Sequence, residues 1–314
     1  MQNDPKVIAK AKNCIRRYRM HTAIIYALIW VVYLLLASQT PGILGIWVLG
    51  LCVIFALRKI NKLTSQKYIF SVLSEELDAD TFLATVYQGH FDTPTALWQL
   101  SGEYYCGHYQ NAISICKLKL ADAKRNKRFR YFYLTYLANV YFDMGNDEKL
   151  RAICEEYSAC LSKETDKKQA ACRKQFPRMA FYDMYLRQDW DGCNTWVNVP
   201  QADKLTRYHR IFCKAKLAFL QNNAEKARGY LEVLSAEVPQ LNYGKLSAVV
   251  LAKIERQESV PFSDLMEISE ESTEITLYPL KHRKLLQTLF IILVIMYIVL
   301  NLASIIIRIV SLQP

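Results

Sequence analysis

Two apolar runs without a charged residue stand close together near the start of the chain, Thr22–Ser38 and Ile43–Leu57, separated only by Gln39-Thr40-Pro41-Gly42. A third, Leu285–Val310, carries only Arg308, close to its end. A helix that crosses the hydrocarbon core needs about 20 residues, with a lower limit of roughly 17. The first and third runs meet that limit. The second is short, which predicts a span that thins the bilayer or a shallow hairpin.

The net charge of +11 would ordinarily raise the question of nucleic acid. Its distribution points elsewhere. Residues 1–21 carry Lys6, Lys10, Lys12, Arg16, Arg17 and Arg19 against Asp4 alone. Residues 58–67 carry Arg58, Lys59, Lys62 and Lys67, and residues 281–314 carry Lys281, Arg283, Lys284 and Arg308, with no acid in either stretch. The remainder, 70–280, holds 26 bases and 28 acids and is close to neutral. The excess charge therefore flanks the apolar runs, as in membrane proteins, and no nucleic-acid partner is expected.

The basic clusters fall on one side only if the first two runs form a hairpin. The positive-inside rule makes that side the cytoplasm. A cleaved signal peptide over 1–38 is disfavoured, because a second apolar run follows at once without a small-residue cleavage pattern. The expected organisation is a basic cytoplasmic N-terminus (1–21), a transmembrane hairpin (22–57), linker helices (58–92), a helical domain (93–257), an acidic linker with a basic stop (258–284) and a transmembrane helix (285–310). The short basic start and the absence of a eukaryotic sorting signal lean toward a bacterial cell membrane.

Within the domain, Tyr131–Leu161 reads as two helices. Leu134, Leu137, Ala138, Tyr141 and Phe142 recur at spacings of three and four residues and share one helical face. Gly145 supplies a backbone free to take positive φ. Asn146 and Asp147 can cap the next helix, in which Leu150, Ile153, Cys154, Tyr157 and Leu161 repeat the spacing. The order Leu137-Ala138, Tyr141, Gly145 resembles the tetratricopeptide (TPR) repeat, although Leu150 stands where that family places a small residue. Further turns are expected at Gly107, near Gln188–Trp190 and at Asn222-Asn223, at intervals of 38, about 43 and about 34 residues, close to the TPR period. Ala112 and Ala227 fit the small position of the second helix. Leu241–Gln257 would be a capping helix. The fold class expected is all-α: a TPR-like array of helical hairpins, an α-solenoid, with three transmembrane helices.

Chemistry is sparse. The chain has no P-loop, no G-x-G-x-x-G, no H-E-x-x-H and no G-x-S-x-G. Its nine cysteines are odd in number, without C-x-x-C pairs, and read as small buried hydrophobes in a reducing compartment. The five histidines keep no metal-ligand spacing, so no metal, cofactor or catalytic residue is expected. The basic run containing Lys124, Arg125, Lys127 and Arg128 could meet anionic lipid.

What the TPR resemblance implies is a concave groove lined by the first helix of each pair, taking a peptide or helix of a partner. The positions would be Tyr136, Asn139 and Phe142, then Tyr182 and Tyr185, then Phe212, Lys216 and Phe219. Any of them could instead be core between repeats. The expected function is a membrane-tethered scaffold or adaptor that binds a protein through this aromatic groove. The alternative is an accessory subunit of a membrane complex, in export or envelope assembly, binding mainly through its spans.

Overall fold

The computed structural model describes residues 4–39, 43–89, 95–122, 127–201 and 203–256, all within the first of two compact units, Met1–Ile275. The acidic linker 258–284 and the third apolar run lie outside the described residues. Every regular element among the described residues is helical.

Helix α1, Pro5–Gln39, runs unbroken for 35 residues, since neither glycine nor a second proline interrupts it. Among the described residues it provides the one helix long and apolar enough to cross a membrane, Pro5–Ala37. Of the two expected spans that fall among the described residues, the first meets this test and the run Ile43–Leu57 does not. Helix α2, Ile43–Ser65, is 23 residues long, but its last third carries Arg58, Lys59 and Lys62.

The basic N-terminus is not a free segment either. Ala11, Ile15 and Tyr18 repeat at helical spacing and are buried. This stripe seats the first half of α1 against α4, Ala79–Gln88. Lys10 Nζ reaches Asp78 at 2.7 Å and Glu76 at 2.8 Å. Tyr18 donates to Asn61, and His21 stacks on Tyr68 at 4.9 Å. The linker region is equally tight. α2 passes through a π-helical turn, Gln66–Phe70, into α3, Ser71–Ser74, and Asp78 then caps α4 through Thr81 N at 2.9 Å. Helix α4 lies between α1 and α5, with Thr81 to Val86 all buried. It approaches α5 so closely that a Cβ on Gly102 would stand 2.7 Å from Leu83 Cδ1.

The remaining helices are α5 (Thr95–Cys106), α6 (Tyr109–Asp122), α7 (Lys127–Asp143), α8 (Asp147–Leu161), α9 (Asp166–Gln175), α10 (Pro177–Leu186), α11 (Trp190–Asn198), α12 (Lys204–Leu220), α13 (Ala224–Glu237) and α14 (Asn242–Glu255). Four hairpins turn at the expected places, α5/α6, α7/α8, α10/α11 and α12/α13. Each turn has one residue at positive φ: Gly107 at +83°, Gly145 at +68°, Gln188 at +60° and Asn222 at +57°. The same pair of backbone bonds closes each one. At the second, Gly145 N reaches Phe142 O at 3.1 Å and Asn146 N reaches Tyr141 O at 2.9 Å, which satisfies carbonyls the helix end would orphan. Asn146, Asp189 and Asn223 then cap the following helices by accepting from the backbone three residues on. Helix α9 was not expected. Its sequence has no apolar stripe and it buries no residue.

Helix α14 changes the architecture. It packs on α13 and α12, as a capping helix would, and also on α5. Lys245 Nζ donates to Cys106 O at 3.0 Å and lies 3.7 Å from Asp80. Lys204 Nζ donates to Glu75 O at 2.8 Å. The last described helix is thus tied to the first hairpin and to the segment before it. Helical hairpins are present, and the last described helix closes back on the first of them.

Candidate functional site

The inward faces of α5, α7, α10, α12 and α14 meet in a cluster of aromatic and polar side chains. Asp143, the last residue of α7, is completely buried. Its Oδ2 accepts from Tyr104 at 2.8 Å, from Asn242 Nδ2 at 3.1 Å and from Tyr109 at 3.2 Å. Tyr104 Oη lies 2.8 Å from Tyr243 Oη, which lies 3.1 Å from His209 Nδ1. His209 Nε2 faces Cys213 Sγ at 3.6 Å.

The protons in this chain have one consistent direction. Tyr104 gives its only proton to the carboxylate. Tyr243 must then donate to Tyr104, and His209 Nδ1–H to Tyr243, leaving Nε2 as acceptor for the Cys213 thiol. The neutral imidazole this requires is favoured by burial first, then by Arg178 and Arg210, which hold the His209 pKa well below its ordinary value. Burial also raises the Cys213 thiol, so this sulfur is not a thiolate. Burial pushes Asp143 up to about 7, against the Tyr104 hydrogen bond and the charges of Lys216 and Arg178, which pull it down. Its other oxygen, Oδ1, has no hydrogen-bond partner, and neither has Asn242 Oδ1.

The eight residues expected to line a groove are found around this cluster, and the expectation of an open groove is corrected. Asn139, Phe142, Tyr182, Tyr185, Phe212 and Lys216 are buried, while Tyr136 and Phe219 are half-buried. Phe142 is ringed by Phe181, Tyr182 and Tyr185 at 5.0 to 5.6 Å. Lys216 Nζ donates to Phe142 O at 2.6 Å and stands 4.0 Å over the Phe142 ring. Burial lowers its pKa to about 8. Tyr182 bonds to Asn139 at 2.7 Å, Tyr136 to Ser101 at 2.6 Å and Tyr185 to Asp147 at 3.3 Å. Phe212 lies against Tyr243 with ring centroids 5.4 Å apart. The physical reason is that neighbouring hairpins pack these side chains on one another, Phe142 among Phe181, Tyr182 and Tyr185 and under Lys216, while Tyr243 of α14 covers Phe212.

Sequence reasoning did not single out Asp143, Tyr104, Tyr109, Asn242 or Tyr243. Asp143 reads as an ordinary residue ahead of a turn. The one available signal was the alternation of tyrosines with single polar residues on helix faces. Lys124 and Arg125 lie outside the described residues, as do the side chains of Lys127 and Arg128 at the start of α7. Nearby, Arg130 pairs with Glu156 at 2.7 Å. Among the described residues no three His, Cys, Asp or Glu side chains are placed to hold a metal ion.

The arrangement can hold helices together through a chain of buried hydrogen bonds. Compared with family models, with curated proteins and with solved structures, the chain matches none.

Proposed function

We propose that the chain is a membrane-tethered helical scaffold whose body is held against the cytoplasmic face and recruits a protein partner through its outer surface. The observation that carries this reading is the division within α1. Its first half is docked on the body, and its second half exposes Ile24, Leu28, Val31, Val32, Leu34 and Leu35, each more than half exposed. A continuous helix with one half docked and one half bare suits a rigid tether. The TPR-like turns and caps support a repeat origin for the body, and no catalytic step is assigned to its buried cluster. The filled inner face takes the aromatic groove out of the proposal.

A second reading, an accessory subunit of a membrane complex, is favoured by the exposed Leu51 and Phe55 of α2, 54 and 68 % accessible, which could pack on helices of another protein. One experiment separates them. Membranes bearing the full chain are washed in alkaline carbonate, and partners are then captured by cross-linking. Release of the protein by carbonate would overturn the tether. A partner lost when 79–255 is deleted supports the scaffold. A partner retained by the first 74 residues alone supports the accessory subunit.

A further inference from the structure

Residues 5–74 contain ten lysines and arginines and no acid. Lys10 is engaged by Glu76 and Asp78. Arg16, Arg17, Arg19, Arg58, Lys59 and Lys62 are exposed, with no carboxylate partner among the described residues. Exposure turns from mainly basic to apolar along each helix, Leu63 being an exposed apolar residue on the basic side of α2. In α1 the change falls between Arg19 and Met20, followed by Ile24. In α2 it falls between Arg58 and the preceding Phe55 and Leu51.

The contact between Tyr18 and Asn61 sets these two points at one height. Arg19 is the next residue after Tyr18, and Arg58 is three before Asn61, so at 1.5 Å per residue the boundaries agree to within about one helical turn. Arg16 and Arg19 are three apart and share a face of α1. Arg58 and Lys62 are four apart and share a face of α2. The α1–α2 contact thus carries a basic collar directly beneath bare apolar side chains, held in place by its docking on α4.

We propose that this collar is a headgroup site for acidic phospholipids, with Arg16, Arg19, Arg58 and Lys62 as the selecting side chains. The inference rests on the tether reading above. A nucleic acid would have to lie against Ile24 and Phe55, whereas an acidic lipid presents phosphate to the bases and acyl chain to those same residues. Guanidinium groups suit phosphate because two donors can meet two oxygens. Attraction to an anionic leaflet is worth roughly fivefold per basic side chain near the surface.

The test uses the full chain in mild detergent, offered equal phosphatidylglycerol and phosphatidylcholine, with retained lipid read by native mass spectrometry. The comparison is R16Q/R19Q/R58Q/K62Q, checked by its melting curve in phosphatidylcholine to confirm that it folds. The native chain retains phosphatidylglycerol several-fold over phosphatidylcholine, and the variant loses most of that preference. Equal retention by the native chain, an unchanged preference in the variant, or equal displacement of the lipid by soluble heparin would overturn the proposal. A carbonate wash reports separately on the tether. If both proteins stay in the membrane while the preference is absent, the headgroup site fails and the tether stands; if the native chain leaves the membrane, the tether itself fails.

Discussion

Tyr243, in the last described helix, meets Tyr104, in the first hairpin, hydroxyl to hydroxyl at 2.8 Å across 139 residues of chain. Both side chains are completely buried. This pair, with Asp143 and Asn242 beside it, closes the inner face of the body. The chain therefore covers Phe212 and His209 of α12 with its own α14.

Asp143→Asn tests the electrostatics of that closure. Asp143 has a folded pKa of about 7 against an ordinary 3.8. Between those values the folded state holds the extra proton. Its contribution is therefore full below about 4, falls as pH rises through the window, and is flat above 7. Lys216, lowered to about 8, acts only above that value, where stability rises with pH toward 10.5 as the unfolded chain also loses its proton. Asparagine keeps an acceptor for Tyr104 and adds an amide donor beside the orphaned Asn242 oxygen. Melting curves at pH 5 and pH 8 are expected to show the variant gaining on the native chain at pH 8. An identical pH response in both would show that Asp143 is ionised throughout.

Leu137 is 3 % exposed at the centre of α7. Leu137→Ala is expected to cost about 2–5 kcal/mol in denaturant unfolding, the range for a buried leucine that leaves a cavity. A cost below about 0.5 kcal/mol would contradict the helical register.

The four hairpin turns differ in how they tolerate positive φ. Gly145 accepts it freely, whereas Gln188 is held at +60° with a side chain. Gly145→Ala is expected to destabilise by about 1 kcal/mol, and Gln188→Gly to be neutral or stabilising by a few tenths. Thermal shifts of the two variants in the same direction would be inconsistent with equivalent turns.

These turns also show what the sequence makes legible. Glycine, asparagine and the caps at Asn146, Asp189 and Asn223 act locally, so the hairpins were readable from residue type and spacing. Helix α9 was missed because DKKQAACRKQ buries nothing and has no periodic stripe to read. The docking of α1 had a signal in Ala11, Ile15 and Tyr18, hidden by the basic residues around them. The filled inner face had no such signal. Periodicity reports which face of a helix is apolar, not what covers it, and tyrosines that can line a groove can equally line a core. Lys216 reads as a groove residue and Asp143 as an ordinary residue ahead of a turn, because only a contact distant in sequence, from Lys216 to the Phe142 carbonyl or from Asn242 to Asp143, buries them.

The most direct measurement is a double-mutant cycle of Tyr104→Phe and Tyr243→Phe, read by denaturant unfolding of the full chain in detergent. Each change removes one hydroxyl and keeps the ring. Each alone is expected to cost about 1–3 kcal/mol, since it leaves a buried partner unpaired. If α14 closes on α5 as described, the double variant costs less than the sum, with a coupling of about 0.5–3 kcal/mol. Additivity to within about 0.3 kcal/mol would mean that the two hydroxyls do not meet, and that α14 does not close on α5.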